Sequence, residues 1–152
     1  MQSISPTHSI RHLTLSLLLL IVNGAYATEY VVSSADELGD LSLQAGDIVI
    51  WEDGTYSEDD NISLTANGTA SNPILIKAEN PGGVTFTGGM TIDVGGDYVI
   101  IEGFRWKGGS GKSNHIEFRK GEQYANYSTL RNCVIDDLTP VSYTHLTLPT
   151  IA

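Results

Sequence analysis

Cysteine, basic residues and helical periodicity are all scarce in this chain, and each scarcity sets a limit. A single cysteine, Cys133, among 152 residues excludes an internal disulfide, so stability has to come from packing. Cys133 sits in Leu130-Arg131-Asn132-Cys133-Val134-Ile135, where a small buried hydrophobe is the plain reading and a reactive thiol the alternative; no function is assigned to it. Lys and Arg number eight against eighteen Asp and Glu. All eighteen acids but only seven of the bases follow residue 27, which leaves that part near net −11. Such a chain repels nucleic acid and anionic membrane surfaces unless a dense basic patch intervenes, and no Lys/Arg cluster is dense enough. A polyanionic sugar meets the same repulsion, so an enzyme for it needs a locally basic groove or a bound cation.

The one long apolar run stands at the front. Met1 to His12 carries one formal positive charge, Arg11, and no acid; Leu13 to Val22 is apolar apart from Thr14 and Ser16; and Ala25-Tyr26-Ala27 has the small-x-small form of a signal-peptidase site. Residues 1–27 therefore read as a cleaved signal peptide, with an uncleaved anchor as the alternative, and the remainder is expected to be secreted or periplasmic. Composition after that point is globular, rich in β-branched residues, Gly and Tyr, and favours strands and turns.

A repeat is the most informative feature present. Asp47-Ile48-Val49-Ile50, Asn72-Pro73-Ile74-Leu75-Ile76, Asp97-Tyr98-Val99-Ile100-Ile101 and Asn126-Tyr127-Ser128-Thr129-Leu130 each place a polar turn residue before a strand, with steps of 25 (47 to 72), 25 (72 to 97) and 29 (97 to 126). Between them lie Val84 to Thr87, Thr91 to Val94 and His115 to Phe118, joined by Gly82-Gly83, Gly88-Gly89, Gly95-Gly96 and Gly108-Gly109. Several short strands per repeat with no helical period between them predict the coils of a parallel β-helix, an all-β solenoid. A jelly roll or other antiparallel sandwich uses the same parts and is the alternative. In the solenoid, Ile48, Val49, Ile74, Ile76, Val99, Ile101 and Leu130 are expected to stack in one interior, each within one residue of alternation. Ser34-Ala35-Asp36-Glu37 has the capping-box form and precedes Leu38, Leu41 and Leu43, so a short helix is expected from near Ala35 as a plug on the first rung.

These residues also carry a family resemblance. Ala45 to Ile50, Asp53-Gly54-Thr55-Tyr56, Asn72 to Glu79, Gly83 to Gly88, Gly96 to Phe104, Ile116 to Arg119 and Leu130 to Asp137, in that order, resemble polysaccharide lyase family six, which contains alginate lyases and chondroitinase-B-like enzymes. The resemblance covers roughly residues 30–140, and the early G-D-x-I and N-P-I patterns recur in other β-helices, so its specificity lies in their order and in the later segments. It implies a right-handed, single-stranded parallel β-helix whose members cleave uronate-containing polysaccharide by β-elimination. Calcium would neutralise the uronate carboxylate, a lysine would remove the C5 proton and an arginine would assist the leaving oxygen. No position here matches the family's calcium-binding or catalytic motifs, so no catalytic or metal residue is carried over; calcium is implied for the longer parent and the chain itself is expected to be an inactive N-terminal part. Its domains then read as 1–27 signal peptide, 28–140 cap and first rungs, and 141–152 a tail that breaks the pattern, resembling read-through sequence rather than a last strand. With nothing stacked on the last rung, residues after about Asp137 are expected to be poorly ordered and the open end to favour association.

Other local patterns have plainer readings. Gly108 to Ser113 has a phosphate-loop look, but Trp106 stands where the first glycine is required and a strand follows, so nucleotide binding is rejected. Glu58-Asp59-Asp60 lacks the spacing of a calcium loop and reads as a solvated acidic turn. Lys77, Arg105, Lys107, Arg119 and Lys120 would meet a sugar carboxylate only if their faces converge. Asn61-Ile62-Ser63, Asn67-Gly68-Thr69 and Asn126-Tyr127-Ser128 are glycosylation sequons by pattern alone. A non-catalytic β-helix adhesin or tail segment and a carbohydrate-binding sandwich are the readings from other functional classes.

Overall fold

The computed structural model describes residues 27–108 and 115–136. Residues 1–26, the stretch 109–114 inside the phosphate-loop look-alike, and the tail with everything after Asp136 lie outside the described residues. Within them the chain coils through three parallel sheets in a fixed order, which is the solenoid rather than the sandwich. Sheet A collects β1 (Glu29–Val32), β2 (Ile48–Trp51), β5 (Ile74–Ala78), β8 (Val99–Glu102) and β13 (Thr129–Arg131) as neighbours in that order. Sheet B holds β3 (Gly54–Tyr56), β6 (Val84–Phe86), β9 (Phe104–Lys107) and β14 (Val134–Asp136); sheet C holds β4 (Asn61–Leu64), β7 (Thr91–Val94) and β10 (Ile116–Glu117). A strand of A is followed by one of B, then one of C, and each pairs in parallel with its counterpart in the next coil. The exception is a small antiparallel hairpin, β11 (Arg119–Lys120) with β12 (Gln123–Tyr124), which leaves the coil after β10.

Stacking puts like on like. Val49, Ile76, Ile101 and Leu130 occupy one inward column of sheet A, and Ile74 with Val99 another. Sheet C stacks Ile62, Ile92 and Ile116 inward, and sheet B stacks Tyr56, Phe86 and Trp106. Trp51 closes the A–B corner from inside, edge-on to Phe86 at 5.5 Å and 89°, while Phe86 and Phe104 lie stacked at 5.7 Å and 15°. Five of the seven residues expected inside, Val49, Ile74, Ile76, Val99 and Ile101, are fully buried, and Leu130 packs partly buried against them. Ile48 does not belong there. Its neighbour Val49 takes the inward site, and since successive side chains of a strand alternate, Ile48 lies half-buried on the outer face beside Leu75.

The register also corrects the repeat. Ile48 pairs with Leu75, Leu75 with Ile100 and Ile100 with Thr129, so the steps are 27, 25 and 29 (48 to 75, 75 to 100, 100 to 129). Asp47 stands immediately before its strand, whereas Pro73 separates Asn72 from β5. Matching the two polar leaders therefore misplaced the first step by two residues. Helix α1 (Ala35–Gly39) starts as expected: Ser34 Oγ accepts from Glu37 N at 3.2 Å, while the Glu37 carboxylate reaches back to Ser33 N, one residue ahead of the N-cap. Leu38 anchors the helix beside β4.

Removing methylenes should separate the two faces. Ile76→Ala opens a cavity between rungs and is expected to cost about 3 kcal/mol, whereas Ile48→Ala on the outer face should cost about 1 kcal/mol or less; urea unfolding of both variants, monitored by tryptophan fluorescence, provides the comparison.

Candidate functional site

What the coil offers a ligand is its three outer faces and the corners between them, where several polar side chains are already engaged by backbone. At the C-to-A corner, Asn67 Oδ1 accepts from Asp97 N at 2.8 Å, and Asp97 Oδ1 accepts from Asn126 N at 2.8 Å, so one side chain per rung satisfies the backbone of the next. At the A-to-B corner, Asp53 accepts from Asn80 N at 3.1 Å and Asn80 Nδ2 at 2.7 Å. A Cβ on Gly83 would overlap that Asp53 carboxylate, which is why the residue there is glycine. Asp47, only 2% exposed, accepts from Thr28 N at 2.9 Å and Gln44 N at 2.8 Å and ties the cap to the first rung. These carboxylates and amides serve as backbone caps, and the sequence pattern G-D-x-I is the trace of one of them.

The five basic candidates do not converge. Lys77 lies on the outer side of sheet A, in register with Glu102. Arg105 and Lys107 lie on sheet B, where Arg105 Nη2 meets Asp136 Oδ2 at 2.6 Å. Arg119 and Lys120 sit on the hairpin, on opposite sides of it. Lys120 Nζ turns back over sheet C to Asp93 Oδ2 at 3.2 Å and Asn61 Oδ1 at 3.4 Å, so one side chain braces three successive rungs. Next to it the outer face of sheet C is wholly polar: Asn61 beside Thr91, and Ser63 beside Asp93 and Glu117. Asn61 Nδ2 donates to Thr91 Oγ1 at 2.7 Å.

Two of the three carboxylates in the acidic turn accept from backbone N–H groups. Asp59 Oδ1 accepts from Gly89 N and Asp60 Oδ1 from Asn61 N at 2.7 Å. Among the described residues no group of three or more His, Cys, Asp or Glu is placed to hold a metal ion. Two sequons are tied by their side-chain nitrogens, Asn61 to Thr91 and Asn126 to Asp97. Cys133 is half-buried, with Sγ 3.3 Å from the Arg131 carbonyl oxygen, and burial pushes its thiol pKa up, away from thiolate chemistry.

Glu102 is the most strongly held surface acid. Arg131 donates to its Oε2 through Nε at 3.0 Å and Nη2 at 2.7 Å, and Asn132 Nδ2 donates to Oε1 at 2.8 Å. The Arg131 hydrogen bonds first, and then that of Asn132, hold its carboxyl below the usual glutamate range.

Sequence reasoning passed over the hairpin. Gly121 alone in its Gly121-Glu122 loop has positive φ, 59°, the signature of a two-residue II′ turn, and Gly-x between two short polar strands was the available signal. It also passed over β1, whose Tyr30 and Val32 stack on Val49 and Trp51.

The chain matches the family model described as Chondroitinase B over residues 32–148. It belongs to that family. Among solved structures, it is similar to a mannuronic acid specific polysaccharide family 6 lyase enzyme from human gut microbiota, at 33% identity and a TM-score of 0.63, covering 72% of this chain and 26% of that one. The PL6 family alginate lyase AlyGC matches at 26% identity and a TM-score of 0.65, over 72% of this chain and 15% of its own. The PL6 family polysaccharide lyase Pedsa3628 from Pseudopedobacter saltans matches at 25% and 0.56, over 70% and 24%. No curated protein sequence matches. The chain thus spans about a quarter or less of the length of these solved relatives.

Because the Glu102 carboxyl is lowered in the folded chain, its contribution to stability is present above the unfolded glutamate value of about 4.3 and fades as pH falls through the lower folded value. Glu102→Gln should therefore flatten the acid side of the stability profile below about pH 4.3, with the midpoint of urea unfolding followed from neutral to acid pH as the measurement.

Proposed function

We propose that this chain is the N-terminal part of an exported polysaccharide lyase that cleaves uronate-containing polymer by β-elimination, with alginate as the foremost substrate and chondroitin or dermatan type chains next. The observation that carries the reading is the family match over residues 32–148, in a chain whose 33% identical relative is described as mannuronic acid specific. The described rungs supply architecture to such an enzyme. They set the axis of the coil, plug it with α1 and extend a polar outer face along sheet C. Three of their bases, Lys120, Arg105 and Arg131, are each held by a carboxylate, and among the described residues no group of three or more His, Cys, Asp or Glu is placed to hold a metal ion. Proton abstraction beside a carboxylate needs a base and a source of positive charge held in place together, and a unit lost together forfeits nearly the whole rate advantage. The chain by itself is accordingly proposed to be inactive, with calcium and the catalytic groups belonging to the longer parent.

Export fits the structure at one atom. Cleavage after Ala27 would create the new amino terminus at Thr28, whose nitrogen already lies 2.9 Å from the buried carboxylate of Asp47. The ammonium formed there gains a charge-assisted bond in place of a neutral one. Terminal sequencing of the exported protein should start at Thr28, and Asp47→Asn should destabilise that mature form more than an otherwise identical uncleaved form, as read by thermal unfolding.

The activity test compares the parent gene product with residues 28–140, each with calcium, on alginate, dermatan sulfate and chondroitin sulfate, following ultraviolet absorbance of the unsaturated uronate. The parent should form product and the short chain none above a vector-only control. Calcium-dependent product from the short chain would place the active site among these rungs, and a parent inactive on all three polymers would overturn the lyase reading.

A further inference from the structure

The hairpin β11–β12 has two sides, and they are unlike. Its inner side carries Lys120 and Gln123, a cross-strand pair that settles over Gly95: a Cβ there would lie 2.8 Å from Lys120 Cβ and 3.3 Å from Gln123 Cβ. Lys120 Nζ then reaches Asp93 and Asn61, which pins the hairpin to the two rungs beneath it. Its outer side carries Arg119 and Tyr124, directly opposite each other in the antiparallel register. Both face solvent, with the Arg119 side chain 53% and Tyr124 63% exposed. Directly opposed residues in such a pair hold their Cβ atoms about 5 Å apart, so a guanidinium and an aromatic ring stand side by side on a braced support.

We infer that Arg119 and Tyr124 form a contact for one uronate unit of an anionic saccharide. This rests on the reading of the chain as part of a polyuronate lyase. The chemistry is that of the ligand: a uronate carries a planar carboxylate, which an arginine fork receives through two parallel N–H donors, next to an apolar ring face, which an aromatic side chain covers. The competing partner of Arg119 is Glu117, half-buried and at 4.0 Å, a long contact at the surface of the kind that contributes modestly. Lys120 cannot take the same role, since it is committed to Asp93 beneath the hairpin. The pinned hairpin also lowers the ordering cost that a free loop would incur on binding. The other exposed tyrosine nearby, Tyr127, is stacked on Tyr98 at 4.9 Å and 13°, so one of its faces is already covered.

The experiment titrates the 152-residue chain with saturated oligomannuronate and with neutral cello-oligosaccharide of equal length, following amide shifts by NMR and heat by calorimetry. Shifts should centre on residues 119–124 with the uronate and be absent with the neutral sugar. Arg119→Gln and Tyr124→Ala should each weaken binding by about tenfold, Tyr124→Phe should keep it, and Arg105→Gln, on sheet B, should leave it unchanged. Both test side chains point to solvent, so unchanged amide dispersion is expected and checks the fold. Equal affinity in the variants, equal binding of the neutral sugar, or no binding by the unaltered chain would each overturn the inference. Inorganic phosphate and an acidic peptide serve as further probes; either one binding as tightly as the uronate, with the same dependence on Arg119 but none on Tyr124, would show a general anion contact and overturn it too. Binding that survives in both variants leaves the polyuronate reading standing without this site, whereas that reading itself fails only with the parent's activity.

Discussion

Everything in this molecule depends on each rung offering its backbone edge to the next in parallel register. Because the strands of one coil hydrogen-bond to their counterparts in the neighbouring coils, a residue's neighbours along the axis are set by its place in the rung. Inward places must repeat as apolar, since a polar one would be stacked between apolar neighbours with no water. Corners must repeat as well. The backbone turns there out of the sheet ladder and leaves N–H groups to satisfy, and Asn67, Asp97 and Asp53 accept from the next rung to do so. The same closeness excludes side chains where rungs nearly touch: a Cβ on Gly96 would overlap the Ala66 carbonyl, and one on Gly68 would lie 2.6 Å from the Tyr98 carbonyl oxygen.

That constraint also governs the charges. Rung-to-rung pairing places Arg131 on Glu102, Lys120 on Asp93 and Arg105 beside Asp136, so three of the chain's few cations are absorbed by carboxylates about one coil away. Each pair is partly exposed and contributes modestly to stability, but each removes a positive charge from the list of groups that could meet an anionic polymer. With a formal net charge of −10, the chain has few to lose. The polar face of sheet C is therefore hydrogen-bonding rather than basic, and Arg119 matters because its nearest carboxylate stands 4.0 Å away.

Much of the fold was legible because solenoid stacking writes a period into the sequence. Val49, Ile74, Ile76, Val99 and Ile101 were found from apolar alternation after a polar leader, and the cap was found from Ser34 and Glu37 at the right spacing. The errors came from places where the rung path varies. Ile48 and Val49 are both apolar, so alternation alone does not say which faces in; what decides it is Trp51, two residues beyond Val49 on the same side, filling the A–B corner. The first step was misread because Asn72 and Asp47 look alike but stand at different distances from their strands. Of the candidate contact, Arg119 stands in the sequence as one of five scattered bases, while no local pattern singles out Tyr124. Their pairing depends on a two-residue turn across which no apolar pattern runs, and only register brings them together.

The family likeness has to be weighed by the same physics. In a solenoid each rung contacts only its neighbours, so the first coils are shaped by local stacking and corner chemistry whatever is attached further along the axis. A match over residues 32–148, together with 33% identity to a solved lyase, therefore fixes the path of these rungs firmly. It transmits chemistry less well, because a quarter of a quasi-one-dimensional structure need not contain the stretch of axis where reacting groups are held. Solvent-facing positions such as Arg119 and Tyr124 are not dictated by the stack. Tyr124 could be exchanged for many residues without disturbing the ladder beneath, whereas Gly95 and Lys120, which seat the hairpin, could not. The residues that the stack leaves unconstrained are thus where a ligand's requirements on these rungs are written.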